Sequence, residues 1–241
     1  MTDESPGTGV DPALLVRYQA GLRRRRRRIA WVCGLVALVL VLGWVLYFSP
    51  LLAVSRVSVR GTSVTTDDQV RQAAQIATGK PLAALDAHAI EQRVSELPAV
   101  ASCHLVRSWP RTVTLQVSER QLVYQAEDSG AFQWTDHTGA VFNVTPQAQQ
   151  VPIARLPSDA SQSLRANIAA VLEALPPQVR SLVQSVSASS SDNILLQLIN
   201  DRTVFWGSAE QLPEKAALLP VLLGQQGSNF DISSVSHPAV K

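Results

Sequence analysis

The chain has 241 residues, of which 46% are hydrophobic, and a formal net charge of +2. The positive charge belongs to the amino terminus, because the first 28 residues hold seven of the 21 basic residues and three of the 19 acidic ones; the remainder has no electrostatic basis for binding nucleic acid. Of the two cysteines, Cys33 falls inside a predicted membrane helix and Cys103 outside it, which excludes an intramolecular disulfide.

Residues 1–28 are predicted to form a disordered cytoplasmic tail. Met1 to Gln19 contains few large apolar residues, so it cannot bury enough surface to offset the entropy of ordering. A short helix from about Pro12 is the alternative within this tail. The tail ends in six arginines, Arg23 to Arg28, which can lie against anionic lipids.

A transmembrane helix is predicted from Ile29 to Phe48. This stretch contains no charge and no proline, and at about 1.5 Å per residue it crosses the roughly 30 Å of bilayer hydrocarbon. Trp31 and Trp44 lie near its two ends, where aromatic rings settle at headgroup depth. Because arginine clusters remain on the cytoplasmic side, we expect the amino terminus inside and everything after Phe48 outside.

Two other roles for this segment stay open. Ala53 and Ser55 have the spacing that a signal peptidase reads, although the apolar run is longer than the roughly 7 to 15 residues of a cleaved signal. Arg27 and Arg28 match a twin-arginine export signal. A run of arginines supplies such a pair by chance, so we favour the membrane anchor.

A β-α-α-β-β unit is predicted next, with two helices on one face of a three-stranded sheet. Thr66 and Gln69 have the spacing of a capping box at the start of the first helix. The apolar positions of the first and last strands are expected in the core: Val57, Val59, Val113, Leu115 and Val117. The predicted elements are a strand over 54–59, helices from Thr66 to Gly79 and from Asp86 to Pro98, and strands over 100–107 and 112–119.

The region from Gln121 onward is predicted to be a mixed domain with an antiparallel sheet and helices. It opens with a hairpin whose turn contains Asp136 and Gly139, and Val151–Ala154 is predicted to be an edge segment because Pro152 lacks a ladder donor. Periodicity and turn residues place the other elements. They are a helix over 163–174, strands over 183–188, 194–199 and 203–206, a helix over 212–223 and a terminal strand from Phe230 to Val240.

The residue types that carry catalysis form no usable arrangement in the sequence. The four histidines stand far apart, without the paired spacing of a metal site. Cys103 and His104 are adjacent, but successive side chains of a strand point to opposite faces, so Cys103 is expected in the core. Asp136 and His137 are better explained by turn chemistry. We therefore predict no catalytic residue, no cofactor and no metal.

The terminal strand is the predicted partner-binding site. From Asn229 to Val240 only Asp231 is charged and only Pro238 is a proline, so little opposes the addition of a partner strand to an unpaired edge. We expect the N–H of Ser234, or that of Ser233 if the alternation shifts by one, to face the partner. The alternative is a strand that only completes its own sheet. The candidate residues are Phe230, Asp231, Ile232, Ser233, Ser234, Val235, Pro238, Ala239 and Val240.

Several motifs resemble the FtsQ/DivIB family of bacterial cell-division proteins. Four of them match its POTRA domain: Val57–Gly61, Leu97–Val100, Arg107–Val113 and Val117–Arg120. The hairpin with Trp134 is also similar to that of the family. Near the end of the chain, a glycine, a lysine-bearing helix and an Asp-centred strand take the family's order, at Gly207, Lys215 and Asp231.

The resemblance implies an α+β protein with four parts: a tail over 1–28, a transmembrane helix over 29–48, a POTRA domain over 54–122 and a C-terminal FtsQ-type β domain over 123–241. It implies a non-enzymatic scaffold in the plasma membrane at the division septum. FtsB-like and FtsL-like membrane proteins are the implied partners, with FtsB adding a short strand beside the terminal strand.

Two other functions would require features that this sequence lacks. A membrane-anchored hydrolase of the cell envelope needs a nucleophile and a base. A POTRA-containing envelope assembly factor should show tandem POTRA repeats and alternating barrel strands. The sequence has none of these features.

Overall fold

The computed structural model describes residues 28–41, 43–44 and 52–240. Residues 28–41 and 43–44 are helical (α1), and all of them are exposed. Within the described residues, no helix combines the length and the apolar character that a membrane crossing requires. Residues 42 and 45–48 of the predicted span, and residues 1–27 of the predicted tail, lie outside the described part of the chain.

The chain divides into two compact units. One contains Met1–Ser58, Ala77–Asp86 and Val106–Thr114. In this unit the Val54 N–H donates to the Lys80 carbonyl at 2.8 Å. The other unit contains Val59–Ile76, Ala87–Leu105 and Leu115–Lys241.

A short 3-10 helix, Leu82–Ala84, belongs to the first unit and is held there by Arg107. The Arg107 guanidinium donates to the carbonyl of Leu82 at 3.0 Å and to that of Leu85 at 2.7 Å. Hydrogen bonds from a charged donor are stronger than those between neutral groups, so one side chain fixes this turn.

The predicted β-α-α-β-β order is present in the structure. Its elements are β1 (Arg56–Arg60), α2 (Asp67–Ala74), α3 (Ala87–Ser95), β2 (Val100–Ser108) and β3 (Thr112–Glu119), and the strand order is β1-β3-β2. The predicted capping box is confirmed, because Thr66 and Gln69 each accept a hydrogen bond from the other's backbone N–H. α2 ends before the predicted Gly79, since Gln75 adopts a left-handed backbone with φ of 50°.

The predicted face of β3 is also confirmed. Val113 and Leu115 are fully buried, and Val117 is 5% exposed, whereas Gln116 between them is exposed. On β1, Val59 is buried but Val57 only half-buried. The inward side chains of β3 therefore form most of the predicted core, as the two-residue period of a strand requires.

A nine-stranded sheet lies in the second unit. Its order is β12-β11-β10-β9-β8-β7-β4-β5-β6, so β12 and β6 are its edges. The strands are β4 (Tyr124–Asp128), β5 (Ala131–Thr135), β6 (Val141–Thr145), β7 (Ile153–Arg155), β8 (Val183–Ser190), β9 (Asn193–Leu198), β10 (Thr203–Gly207), β11 (Asn229–Asp231) and β12 (Ala239–Val240).

The helices of this region supply a buried core with the sheet. They are α4 (Gln162–Ala174), α5 (Pro177–Arg180) and α6 (Leu212–Leu223). Ser161 caps α4 by accepting a hydrogen bond from the Leu164 N–H at 3.2 Å. Ile168 of α4, Leu219 of α6 and Trp206 of β10 are fully buried members of this core.

Two predictions about this sheet are wrong. The sheet is mixed and not antiparallel, because β7 runs parallel to β4 and β8, and β11 runs parallel to β10. Parallel neighbours need a crossover: α4 and α5 connect β7 to β8, α6 connects β10 to β11, and the β5–β6 hairpin lies between β4 and β7. Val151–Ala154 is not an edge segment: β7 lies between two strands, and Pro152 precedes it, so no ladder donor is lost.

The predicted single terminal strand is also wrong. The chain forms β11, turns through residues 232–238, and returns as β12, antiparallel to β11 with Phe230 opposite Val240 and Asp231 opposite Ala239. The Asp231 side chain favours this turn by accepting hydrogen bonds from the Ser233 N–H at 3.0 Å and its hydroxyl at 2.7 Å. The edge of the sheet is therefore β12.

Candidate functional site

Cys103, His104 and Asp136 have the positions that strand and turn chemistry predict. Cys103 is buried and His104 is exposed, on opposite faces of β2. Burial raises the pKa of the Cys103 thiol, and the charge of Glu91 raises it further, which disfavours the reactive thiolate. Among the described residues there is no group of three or more His, Cys, Asp or Glu side chains that could hold a metal ion.

Asp136 organises the hairpin turn. Its Oδ1 accepts hydrogen bonds from the N–H groups of Thr138 and Ala140, both at 2.9 Å, and Gly139 has a φ of 75°. Burial raises the pKa of the Asp136 carboxyl, but hydrogen bonds from Thr138, Arg120 and Ala140 outweigh it and lower the pKa. The predicted turn role is confirmed, and Asp136 stays ionised as an acceptor.

The candidate partner residues occupy three different environments. Phe230 and Ile232 are 1% and 0% exposed and belong to the core, so their side chains support the edge from inside. Asp231 is half-buried on β11. The exposed residues of the set are Ser233, Ser234, Pro238 and Ala239, and the half-buried ones at the turn and edge are Val235 and Val240.

The hydrogen bonds of β11 identify which group of β12 faces away from the sheet. The Thr203 N–H donates to the Ser228 carbonyl, and the Ile232 N–H donates to the Phe205 carbonyl. Ser228 and Ile232 flank β11, so by alternation the backbone groups of Phe230 also face β10. Asp231 therefore faces β12 and its partner Ala239. Because such groups alternate along an antiparallel pair, the N–H and C=O of Val240 point outward.

A close approach between Gly207 and Ser233 sets the position of the turn after β11. Gly207 has a φ of 77°, and a Cβ on it would lie 2.8 Å from the Ser233 Cβ. A side chain at Gly207 would thus be strained and would displace Ser233. This requirement explains why a glycine closes β10 here.

Lys215 fixes the backbone on both sides of Gly207. It is 1% exposed, and its Nζ donates to the carbonyls of Trp206 and Ser208, both at 3.0 Å. Burial lowers the pKa of Lys215, and the charges of Glu210 and Asp231 partly oppose this. The resemblance located Lys215, but not its bonding partners.

Arg202 supports the edge from another side, and sequence reasoning missed it. Its guanidinium carbon lies 4.6 Å from the centre of the Phe230 ring, and one of its nitrogens donates to the Leu223 carbonyl at 2.8 Å. Cation–π contact and a charge-assisted hydrogen bond thus hold β11 against the end of α6. These partners are more than 20 positions from Arg202, so no local pattern signals the contact.

A cavity of about 330 Å³ lies beside this edge. Residues of four neighbouring strands line it, namely Leu195, Thr203, Phe205, Asn229, Phe230, Asp231 and Ala239. Unpaired backbone at Val240 and an adjacent cavity give the edge the features of a surface that receives an extended segment.

Two family models together match most of the chain. A model described as "POTRA domain, FtsQ-type" matches residues 52–120. A second model, described as "Cell division protein FtsQ/DivIB, C-terminal", matches residues 123–236.

Curated relatives are similar over nearly the whole length. The Cell division protein FtsQ of Streptomyces bingchenggensis is 37% identical over 233 residues, covering 91% of this chain and 88% of the relative. That of Streptomyces venezuelae is 38% identical over 237 residues, with the same two coverages. A solved structure, the major extracytoplasmic domain of the cell-division protein DivIB from Geobacillus stearothermophilus, matches 43% of this chain and 91% of its own with a TM-score of 0.35 and 16% identity.

Proposed function

Because the chain belongs to the FtsQ/DivIB family of non-enzymatic cell-division proteins, we propose that it is a divisome scaffold that captures other single-span division proteins outside the cytoplasm. FtsB-like and FtsL-like proteins are the proposed partners. In this role the chain links early and late steps of septum assembly by binding.

The observation that carries this proposal is the outward N–H and C=O of Val240 on a sheet edge. β12 has only two residues, and a partner strand beside it would extend the sheet while its side chains reach the cavity at Phe205 and Asp231. Main-chain hydrogen bonds give affinity in this mode, and side-chain pockets give specificity. The buried Lys215 and the half-buried Arg202 keep β11 and its turn in place for this contact.

We also propose the domain boundaries 54–122 for the POTRA domain and 123–241 for the β domain, which the family matches at 52–120 and 123–236 support. The proposed location is the plasma membrane at the septum, with a cytoplasmic amino terminus. Support comes from the exposed apolar side chains of α1, where Ile29 is 53%, Trp31 80% and Leu35 63% exposed. Contiguous exposed apolar surface typically marks contact with a membrane or a protein.

The test measures how much of the organism's own FtsB-like protein co-purifies with each variant of this chain after extraction from the membrane. Val240→Pro removes the outward N–H and keeps a three-carbon side chain at this half-buried position, and Val240→Thr is the matched control, since it keeps the N–H and the β-branch. We expect Val240→Pro to weaken capture at least tenfold, or about 1.4 kcal/mol, with an unchanged melting temperature. Normal capture by Val240→Pro would exclude strand addition at β12.

A further inference from the structure

The opposite edge of the nine-stranded sheet, β6, is longer and less protected than β12. β6 spans Val141–Thr145, five residues without a charge or a proline, whereas β12 has two residues. Val141 is 37% exposed and Val144 is 57% exposed. Native edge strands are usually protected by charges, prolines or covering segments, and the sequence of β6 provides none of these residues.

The Val144 N–H of β6 has a local hydrogen-bond acceptor that a partner strand can replace. The Val144 N–H donates to the neighbouring Asn143 Oδ1 at 2.9 Å, a local contact between exposed groups. The irregularity in the pairing with β5 falls between Asn143 and Val141, so residues 143–145 remain regularly paired. Thr145 is fixed by the Trp134 indole, which donates to its hydroxyl at 3.0 Å.

A groove of about 170 Å³ adjoins β6 at Phe142 and Asn143. Its other lining residues are Val64, Thr65, Gln69, Leu97, Pro98 and Ala99. None of the lining residues is charged, so a charged side chain entering the groove would lose hydration without gaining an opposite charge. An apolar side chain would instead contact Val64, Pro98 and Phe142.

We propose that β6 is a second strand-addition edge, which receives an uncharged extended segment of a partner protein and takes one of its apolar side chains into this groove. The occupant is a single extended segment and not a second sheet. Val64 and Pro98 line the same groove as Phe142 and Asn143 of β6, so a side chain of one added strand is enough to contact them. The peptide carbonyl replaces Asn143 as the acceptor for Val144. This site is independent of the one proposed at β12.

The test uses the purified full chain in detergent micelles and two synthetic peptides, acetyl-Lys-Thr-Val-Thr-Leu-Thr-Val-Lys-amide and its counterpart with aspartate in place of leucine. The terminal lysines of the first peptide supply solubility, and its six central residues form the uncharged segment. Hydrogen exchange at the Val144 amide and the dissociation constant are measured together. We expect the leucine peptide to slow exchange at Val144, and the aspartate peptide to bind at least tenfold more weakly. Asn143→Ala should bind the leucine peptide at least as tightly as the wild type, since the competing acceptor is gone.

Two variants separate binding from folding. Val144→Pro removes the donor, and Val64→Lys places a charge at the groove without changing the backbone of β6 and without adding a negative charge beside Glu119. Each should bind at least tenfold more weakly, and Val64→Lys at an unchanged melting temperature. Val240→Pro is the matched control at the other edge and should bind the peptide normally. Saturating peptide that leaves Val144 exchange unchanged, protection at Val240 alone, or equal binding of the two peptides would each overturn the proposal.

Discussion

Arg120 and Asp136 form an ion pair in which the Arg120 Nη1 lies 2.5 Å from an Asp136 carboxylate that is fully buried. The same guanidinium donates through Nε to the Pro98 carbonyl at 3.0 Å, and the Arg120 backbone N–H donates to the Ala99 carbonyl at 2.8 Å. Arg120 therefore joins the segment after α3 to the hairpin turn between β5 and β6.

Removing Arg120 should destabilise the protein strongly. Arg120→Ala leaves the Asp136 charge buried without its cation, which typically costs about 3 to 5 kcal/mol, and the remaining donors at Asp136 should keep the loss near the lower value. Urea unfolding measures this change. Arg71→Ala is the control, because Arg71 pairs with Asp67 and Asp68 on an exposed surface, where such pairs contribute at most about 1 kcal/mol. Equal losses in the free energy of unfolding for both variants would contradict a stabilising role of the Arg120–Asp136 ion pair.

Glu119 at the end of β3 should make stability depend on acid pH. Its carboxylate accepts hydrogen bonds from the N–H groups of Ser63, Val64 and Thr65 at 2.7 to 2.9 Å, and from the Ser63 hydroxyl at 2.6 Å. Desolvation raises the pKa of Glu119, but these hydrogen bonds outweigh it and lower the pKa from 4.5 to about 2. The charged form is therefore favoured in the folded state.

The stabilisation from Glu119 is fully present above pH 4.5 and is lost as the pH falls toward 2, because the unfolded chain takes up the proton first. Glu119→Gln should lower the free energy of unfolding at neutral pH by about 1 kcal/mol, since the N–H donors lose their charged acceptor but most of these hydrogen bonds are exposed to solvent. Unfolding curves recorded between pH 2 and 7 should show the two proteins converging at the acid end. A constant difference across that range would argue against this role.

Neighbours on β3 should respond oppositely to truncation. Leu115 is fully buried and Gln116 is exposed, so Leu115→Ala should cost about 2 to 5 kcal/mol through a cavity, whereas Gln116→Ala should change stability by a few tenths. Thermal unfolding of both variants measures the contrast. A comparable loss in Gln116→Ala would mean that the faces of β3 are misassigned.

The proposed topology can be tested by labelling engineered cysteines in whole cells. Asp128 is exposed at the end of β4, so a cysteine there should react with a thiol reagent that cannot cross membranes. Where the cell has an outer membrane, that membrane is permeabilised first. A cysteine in place of Ser5 should stay unlabelled, since the arginine run keeps the tail inside. Labelling at both positions would exclude a single span, and a free fragment starting near Arg56 would indicate cleavage.

Local rules accounted for much of the fold. The capping box of Thr66 and Gln69, the alternation along β3 and the turn at Asp136 each depend on residues a few positions apart. Such patterns can be read from a sequence because the helix and strand periods fix which side chains share a face. The same rules failed for β7, whose central place depends on strands more than 20 residues away.

By itself, the sequence determined the β-α-α-β-β order, the family motifs and the absence of charge from Val141–Thr145 and Ala239–Val240, since these follow from residue types and their spacing. Only the tertiary structure decided that the chain turns back after Asp231, and that Val240 and not Ser234 presents its N–H at the edge. It also decided that the Arg120 side chain pairs with the buried Asp136 and that the buried Lys215 donates to the Trp206 carbonyl. The physical reason is that pairing register and buried polar contacts join residues distant in sequence, and their geometry is set by packing of the whole sheet.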